Sequence, residues 1–309
     1  MLKIKDIDKK GIFGRALLVV VTIIWGSSFV ILKDTLSLFG GGNFTFFVLA
    51  ARFLCATLVL LPFAVKGFKD LDKRTVKDGV ILGVILFFAY AFQTVGLKYT
   101  TASKNAFLTT TYCAIVPFLS WLILKKKPGI NNYVAAVMCI AGVAFVSFIG
   151  KDEGNSNQLL GDILTIVCGL FYALQIIYND KFAGGKNAFL ILVVELAVVS
   201  LLMSATSLIF EFPTHSADFS LNGEVVWKIL YLALFATAFA QFGQIFSQRF
   251  VPPTIVTIIL SLESVFGVLF EIILGDAHLT VLIIIGFVMI FAAEIISELN
   301  FSEKKSNNA

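Results

Sequence analysis

The chain has 309 residues, of which 58% are hydrophobic and 14% are charged, and its formal net charge is +4. A soluble domain of this length carries more charge, so the composition excludes that class. The small positive charge lies between apolar stretches and gives little support to nucleic-acid binding. Because a helix needs about 20 apolar residues to cross a bilayer core of about 30 Å, we predict a polytopic helical membrane protein.

Ten apolar stretches of span length follow one another along the chain, joined mostly by short connections with turn-forming residues. Gly40–Gly42 and Pro252-Pro253 are two such turns. The pattern predicts an all-α integral membrane protein with ten transmembrane helices. Their approximate bounds are 14–33, 44–65, 78–97, 103–124, 132–149, 160–178, 188–210, 227–248, 254–274 and 279–298.

The basic residues alternate between the two sides of this predicted bundle. The side that holds both termini has 18 Lys and Arg, the other side has five, and Arg52 alone remains inside a span. Because connections rich in Lys and Arg stay in the cytoplasm, the bias predicts that both termini are cytoplasmic. An even number of spans is required for this, and ten satisfies it.

The two halves of the chain resemble each other weakly. A shift of about 151 residues lays the third and fourth spans on the eighth and ninth, so that Gln93 meets Gln244 and Lys98 meets Arg249. Five spans per half is an odd number, so the second half enters the membrane in the opposite orientation. We predict two inverted five-helix repeats, residues 1–150 and residues 151–309, the second with a short cytoplasmic tail.

Five short motifs follow one another along the chain: Trp25-Gly26-Ser27-Ser28-Phe29, the run from Gly96 to Ser103, Val116-Pro117-Phe118, Leu262-Glu263-Ser264-Val265-Phe266 and Leu274-Gly275-Asp276. In this order, and over residues 12 to 300, they resemble the motifs of the EamA family in the drug/metabolite transporter superfamily. Two positions depart from the family pattern: Ser264 stands where Pro is usual, and Lys125-Lys126 replace a Gly-Glu pair.

The resemblance implies ten helices in two inverted repeats with a central cavity between them. It also implies the export of a small metabolite, an amino acid or an amphipathic drug-like compound from a bacterial cell. We therefore expect a multi-pass protein of the bacterial inner membrane. The resemblance does not name the substrate.

Three ionisable residues lie deep inside predicted spans, where a charge is costly and marks a functional site by default. Arg52 and Glu195 each lie about eight residues into the second and seventh spans, which correspond in the repeat. An Arg52–Glu195 pair, structural or gating, and an Arg52 that binds a substrate carboxylate are both open interpretations. Glu263, near the centre of the ninth span, is the candidate for proton coupling; a hydrogen bond to a neighbouring helix is the alternative.

Amide, hydroxyl and aromatic side chains inside the spans are further candidates for substrate binding or gating. An amide donates and accepts hydrogen bonds without a charge, and a Tyr or Trp ring joins an apolar face to a polar tip. Interhelical hydrogen bonding and plain packing are the alternatives. The candidates are Trp25, Ser28, Tyr90, Gln93, Tyr112, Tyr172, Gln175 and Gln244, with Gln241 beside the last.

These features favour a secondary active or facilitative transporter that works by alternating access. The sequence shows no catalytic motif of an intramembrane enzyme and no pore-lining stripe of a channel. An intramembrane enzyme and a non-transporting membrane scaffold are the weaker alternatives. No ATP, cofactor or metal motif is present, and the four cysteines are predicted to be buried thiols. The expected partners are the lipid bilayer, a small-molecule substrate and, as a candidate, protons; monomer and homodimer both stay open.

Overall fold

The computed structural model describes residues 9–125, 127, 129–145, 157–183, 188–216, 219, 221–251, 253–274 and 281–298. Within these residues the chain is helical apart from short turns and contains no strand. Each of the ten predicted spans overlaps a helical segment. The end of the fifth span, the linker that follows it and Gly275-Asp276 lie outside the described residues.

We number the helical segments α1 to α10 in chain order, and three of them are interrupted. The uninterrupted segments are α1 Lys9–Leu38, α2 Thr45–Ala64, α3 Lys73–Tyr99, α5 Ile130–Ala144, α6 Gln158–Ala183, α9 Pro253–Leu274 and α10 Val281–Glu298. The interrupted segments are α4, made of Ala102–Thr109 and Tyr112–Leu124; α7, made of Ala188–Thr206, a π-helical turn Ser207–Glu211 and Phe212–His215; and α8, made of Gly223–Ala233, a π-helical turn Leu234–Phe239 and Ala240–Gln248.

The break in α4 has a local cause. The hydroxyls of Thr110 and Thr111 donate to the carbonyls of Phe107 and Leu108, at 2.7 and 2.8 Å. Such side-chain bonds compete with the helical backbone ladder and bend or interrupt it. The first part of α4 is buried along its whole length, so the break separates a short buried segment from a longer apolar one.

Seven helical segments of the described chain are long and apolar enough to cross a bilayer. They are α1, α2, α3, α4, α6, α7 and α8, and the apolar stretches Ile130–Gly142 and Ile284–Ala293 are shorter. The chain is therefore a multi-pass α-helical membrane protein. The four cysteines are free thiols; Cys55 is partly exposed, against the prediction, and the other three are buried.

One end of the helix bundle is held together by polar contacts between helix termini, and we call it the capped end. The carboxylate of Glu271, near the end of α9, accepts hydrogen bonds from the first N–H groups of α4. Lys228, near the start of α8, pairs with Asp34, near the end of α1. Thr100, which follows α3, donates to Asp162, near the start of α6. We call the opposite end of the bundle the far end.

The helices α2 and α7 meet at the same capped end. Glu211, near the end of α7, accepts from the backbone N–H groups of Phe46 and Phe47 at the start of α2, at 2.7 and 2.9 Å. The predicted glycine turn, Gly40–Gly42, joins α1 to α2 there with all three residues at positive φ. Glycine is the residue that adopts this backbone without steric cost. The amine of Lys98 closes the turn by donating to the Gly42 carbonyl at 2.7 Å.

The helix packing follows a pattern that repeats between the two halves. The helix α1 packs on α9 and on α8, and α6, which holds the same place in the second half, packs on α4 and on α3. The helices α2 and α7 pack on each other, as do α5 and α10. If each helix of the first half is exchanged for its counterpart in the second half, α1 for α6 through α5 for α10, the set of main helix–helix contacts stays the same.

Small residues allow these helices to approach closely. A Cβ at Gly26 would lie only 2.5 Å from the Cβ of Phe266, so α1 and α9 pack backbone to backbone there. Gly79 and Gly83 of α3 face α7 in the same way, since a Cβ at Gly83 would lie 2.7 Å from the Cβ of Val198. Close packing through small residues is how membrane helices associate when lipid already satisfies their apolar surface.

Candidate functional site

A narrow cavity of about 40 Å³ lies between α1, α2, α3, α4, α6, α8 and α9. Ten of the eleven residues singled out in the sequence line it, and whether they bind substrate stays a prediction. These ten are Trp25, Ser28, Arg52, Tyr90, Gln93, Tyr112, Tyr172, Gln175, Gln244 and Glu263.

The cavity wall also contains apolar residues that sequence reasoning missed. They continue the faces of the predicted residues along each helix: Phe29 and Leu32 follow Trp25 and Ser28 at helical spacing on α1. A search for neighbours three or four positions away from the polar candidates would have found them. The missed lining residues are Phe29, Leu32, Leu97, Ile176 and Leu260, while Gln241 was recognised beside Gln244.

Twelve of the sixteen lining residues form six pairs at matching positions of the two halves. The offset is 147 residues between α1 and α6, and 151 residues both between α3 and α8 and between α4 and α9. The two halves thus contribute equivalent helix faces to one cavity. The pairs are Trp25 with Tyr172, Ser28 with Gln175, Phe29 with Ile176, Tyr90 with Gln241, Gln93 with Gln244, and Tyr112 with Glu263.

The helix α2 contributes one charged residue to the cavity wall, Arg52, and this residue is only 1% exposed. Its Nε donates to Thr237 Oγ1, and its Nη2 donates to the carbonyl of Ala236 at 3.0 Å and lies 3.4 Å from Tyr90 OH. The Tyr90 ring lies beneath the guanidinium, with 4.9 Å between Cζ and the ring centroid. Ala236 and Thr237 belong to the π-helical turn of α8, so Arg52 ties α2 to the point where the hydrogen-bond register of α8 changes.

Trp25 binds the same π-helical turn from α1. Its indole Nε1 donates to the Ala236 carbonyl at 2.9 Å, so this one oxygen accepts from Trp25 and from Arg52. The carbonyls of a π-helical turn are displaced from the α-helical ladder, and such turns occur often at functional sites. Three helices therefore meet at a single backbone oxygen beside the cavity.

Glu195 lies outside the cavity wall, and it does not pair with Arg52 as one interpretation of the sequence expected. Its side chain is fully buried on α7, and Gln175 Nε2 donates to its Oε1 at 3.2 Å. In the described part of the chain neither Arg52 nor Glu195 makes an ion pair. The helix α7 continues to His215, beyond its predicted end, so Glu195 lies nearer the far end of the bundle than expected. Arg52 extends toward α8 and not toward α7.

Gln93 and Gln244 occupy matching positions but differ in their surroundings. Gln93 accepts from Tyr172 OH at 3.0 Å and donates to Thr109 Oγ1 at 3.2 Å, so both ends of its amide are bound. Gln244 is equally buried, yet its Oε1 has no hydrogen-bond partner in the described structure, and the same holds for Gln241 Oε1. The wall is therefore polar and ordered toward the capped end, and polar with spare acceptors toward the far end.

Among the described residues no group of three or more His, Cys, Asp or Glu side chains is placed to hold a metal ion. The cavity wall brings one guanidinium, one carboxylate, four amides and five aromatic rings to a common space. A mostly apolar wall with a few convergent polar groups is typical of small-molecule sites.

Comparisons with known proteins identify the family. The sequence model of the EamA-like transporter family matches residues 12–148 and again residues 159–297. An uncharacterized transporter of Archaeoglobus fulgidus is 31% identical over 94% of this chain and 87% of its own length. An uncharacterized transporter of Clostridium kluyveri is 26% identical over 85% of each chain.

A solved crystal structure aligns over 92% of this chain and 96% of its own with a TM-score of 0.65 at 12% identity, which is a likeness of fold alone. The two family matches begin 147 residues apart, the same offset that relates the cavity residues of α1 to those of α6. The relatives carry the names of transporters and not of enzymes. The resemblance seen in the motifs is confirmed: the chain is a membrane protein that belongs to the EamA-like transporter family.

Proposed function

We propose that the protein is a secondary transporter that carries a small solute through this cavity by alternating access. The observation that carries the proposal is the set of six register-matched pairs in the cavity wall. A site built from equivalent faces of two repeats is the arrangement in which one half can exchange conformation with the other around a fixed solute.

The proposal takes the chain as ten transmembrane helices in two inverted five-helix repeats, residues 1–150 and 151–309. Two features support this arrangement. The helix α1 ends at the capped end whereas α6 begins there, as Asp34 and Asp162 mark. The main packing contacts also stay unchanged when the halves are exchanged.

The orientation follows from the basic residues. With the 18 Lys and Arg of the richer side in the cytoplasm, both termini and the far end face the cytoplasm and the capped end faces outward. In the conformation described here the outer side is closed by its polar contacts. A rocking motion that separates these contacts and closes the far end would carry a solute outward, as an exporter of small metabolites requires.

The first experiment asks whether the protein is a carrier. Purified protein in lipid vesicles is loaded with an unlabelled solute, and the uptake of the labelled solute is measured as exchange. A carrier gives exchange that saturates with concentration and is accelerated by solute on the opposite side. Flux that rises linearly with concentration and shows no such acceleration would identify a channel instead.

The second experiment tests alternating access without knowledge of the solute. Single cysteines are placed one turn from Gln93 and one turn from Gln244 in a background without the four native cysteines. We expect the two positions to respond in opposite directions when a solute shifts the conformation, because the two amides lie toward opposite ends of the bundle. A parallel change in labelling at both positions would contradict alternating access.

A further inference from the structure

We infer that the solute carries a carboxylate group and that Arg52 is its binding partner; the inference rests on the proposed transport function. Arg52 lies in the cavity wall, is 1% exposed, and has no ion pair with any described Asp or Glu. A buried charge without a counter-ion is costly, by several kcal/mol for an ion of this size. An anionic ligand in the cavity removes that cost.

The hydrogen bonds of Arg52 leave one side of the guanidinium available. Its Nε and Nη2 donate to Thr237 Oγ1 and to the Ala236 carbonyl, whereas Nη1 donates to no described group. The bonds to α8 fix the plane of the guanidinium, and the Tyr90 ring covers one of its faces. The fixed fork therefore presents Nη1 to the cavity, where a planar carboxylate can accept from it.

The balance of charge favours a carboxylate over a phosphate. Arg52 is the one cationic side chain among the lining residues of this cavity, and no Lys accompanies it. Because the same wall holds the Glu263 carboxylate, a phosphate dianion would add two negative charges beside one guanidinium, whereas a carboxylate adds one. Trp25, Tyr90, Tyr112 and Tyr172 supply ring faces for an apolar or aromatic remainder of the solute.

Glu263 gives the same wall one carboxylate, so a solute amine also has a possible partner. The inference does not depend on that amine. Three probes with one aromatic frame separate the two charges: 3-phenylpropionate carries only the carboxylate, 2-phenylethylamine only the amine, and phenylalanine carries both. Their binding is measured as a shift of the thermal unfolding midpoint of the purified protein and as exchange in vesicles.

We expect the two carboxylates to stabilise the protein and to exchange, and 2-phenylethylamine to do neither. Arg52→Gln should weaken the binding of both carboxylates at least about tenfold, because a charge-assisted hydrogen bond contributes roughly 1.5–3 kcal/mol. Arg52→Lys should recover only part of that affinity, since the point charge lacks the fork geometry.

A matched variant separates binding from the structural contact of Arg52 with α8. Thr237→Val removes the acceptor of Arg52 Nε, and Thr237 is not among the lining residues. We expect this variant to lose stability but to keep its preference for carboxylates. An Arg52→Gln variant that lost stability and kept the same preference would overturn the inference and leave Arg52 as a structural contact.

Binding of 2-phenylethylamine in place of 3-phenylpropionate and phenylalanine would also overturn the carboxylate inference. A failure of both carboxylates to bind would overturn it too. The proposed transport function is judged separately, by the cysteine labelling near Gln93 and Gln244. Opposed labelling together with selectivity for amines would keep the carrier and remove the carboxylate. Parallel labelling would remove the carrier itself.

Discussion

The two ends of the bundle differ in how their buried polar groups are bonded. At the capped end the charges are paired: Lys104 Nζ lies 3.3 Å from Asp162 Oδ2, with both side chains at most 2% exposed. At the far end of α8 the buried amides of Gln241, Gln244 and Gln248 each have an oxygen without a hydrogen-bond partner in the described structure. Buried polar groups in folded proteins are nearly always bonded, so these three amides retain acceptors that water or a solute can use.

Aromatic packing adds to the difference. Five phenylalanines contact one another at the capped end, with ring centroids 5.1 to 6.4 Å apart. Ring pairs in such edge and tilted geometries add about 0.5–1.5 kcal/mol each beyond the area they bury. The rings are those of Phe39, Phe44, Phe47, Phe212 and Phe219.

The capped end is the end that resists opening in this conformation. Separating the capped end breaks ion pairs, helix caps and ring contacts together. Opening the far end admits water to amides that have unused acceptors, which is favourable for those groups. The conformation is therefore closed at the capped end and prepared for hydration at the far end.

The largest effect is expected from breaking the buried ion pair of the capped end. Lys104→Met leaves Asp162 as an uncompensated buried charge, and we expect a loss of about 3–5 kcal/mol in the free energy of unfolding. Chemical unfolding of the purified protein in detergent measures it.

The double variant Lys104→Met with Asp162→Leu is the control for this prediction. Replacing both ions by apolar side chains of similar size is often neutral, so stability should return to near the wild-type value. A double variant as unstable as the single one would show that the segment needs Lys104 for another contact.

The contacts of the capped end are also what sequence reasoning did not predict. Hydropathy depends on local composition, and each of the ten stretches that it predicts overlaps a helical segment of the described chain. Polar residues inside apolar stretches are equally visible in a sequence, and Arg52, Gln93 and Glu263 line the cavity. Lys104 and Asp162 join helices far apart in the sequence, and no local pattern encodes such a contact.

The apolar part of the cavity wall was missed for a related reason. In a membrane helix an apolar residue looks the same whether it faces lipid, a neighbour or a cavity, so only their helical spacing from Gln93 and Glu263 indicates Leu97 and Leu260. The Arg52–Glu195 pair, one of two interpretations of these residues, is not formed in this structure, because similar depth in the membrane does not imply contact. Rotation of each helix about its axis decides which neighbour a side chain reaches, and α2 turns Arg52 toward α8.

A smaller loss of stability is expected from the partly buried helix cap at the same end. The two oxygens of Glu271 accept from the N–H groups of Ala102 and Ser103 at 3.1 and 2.7 Å. Glu271→Ala removes both acceptors from the start of α4, and we expect a loss of about 1–2 kcal/mol, as for other lost N-caps. Thermal unfolding of the variant measures it.

Glu224→Ala is the matched control because that carboxylate also lies at the capped end but is 55% exposed. Exposed pairs contribute about 0–1 kcal/mol, so its loss should be clearly smaller than that of Glu271→Ala. Equal losses for the two variants would argue against the distinction between buried and exposed contacts.

The far end should respond to the loss of an amide in the opposite direction. Gln248→Leu removes two buried atoms that have no partner, so we expect unchanged or slightly higher stability, by up to about 1 kcal/mol, together with slower exchange. Gln93→Leu removes an amide that is bound at both ends and should cost about 1–3 kcal/mol. Two losses of the same size would remove the contrast between the ends.

The smallest effect concerns an exposed cap at the far end. Asp72 precedes α3, and its Oδ1 accepts from the N–H of Thr75 at 2.7 Å. Bonds from the side chain and then the backbone of Thr75 hold the pKa of the Asp72 carboxyl below its usual value. A lowered pKa means that the ionised form is favoured by folding, so the contribution to stability is complete above the unfolded pKa of about 3.9.

That contribution is lost as the pH falls through the lowered folded pKa of Asp72. We therefore expect Asp72→Ala to be slightly less stable than the wild type at pH ~7 and indistinguishable from it well below the unfolded pKa of ~3.9. Asp72→Asn keeps the acceptor and should remove only the pH dependence of the difference. The same helix-capping role thus has a small, titrating effect at Asp72, which is exposed, and a larger one at Glu271, which is partly buried and accepts from two N–H groups. A difference between wild type and Asp72→Ala that did not change with pH would contradict this account of the exposed cap.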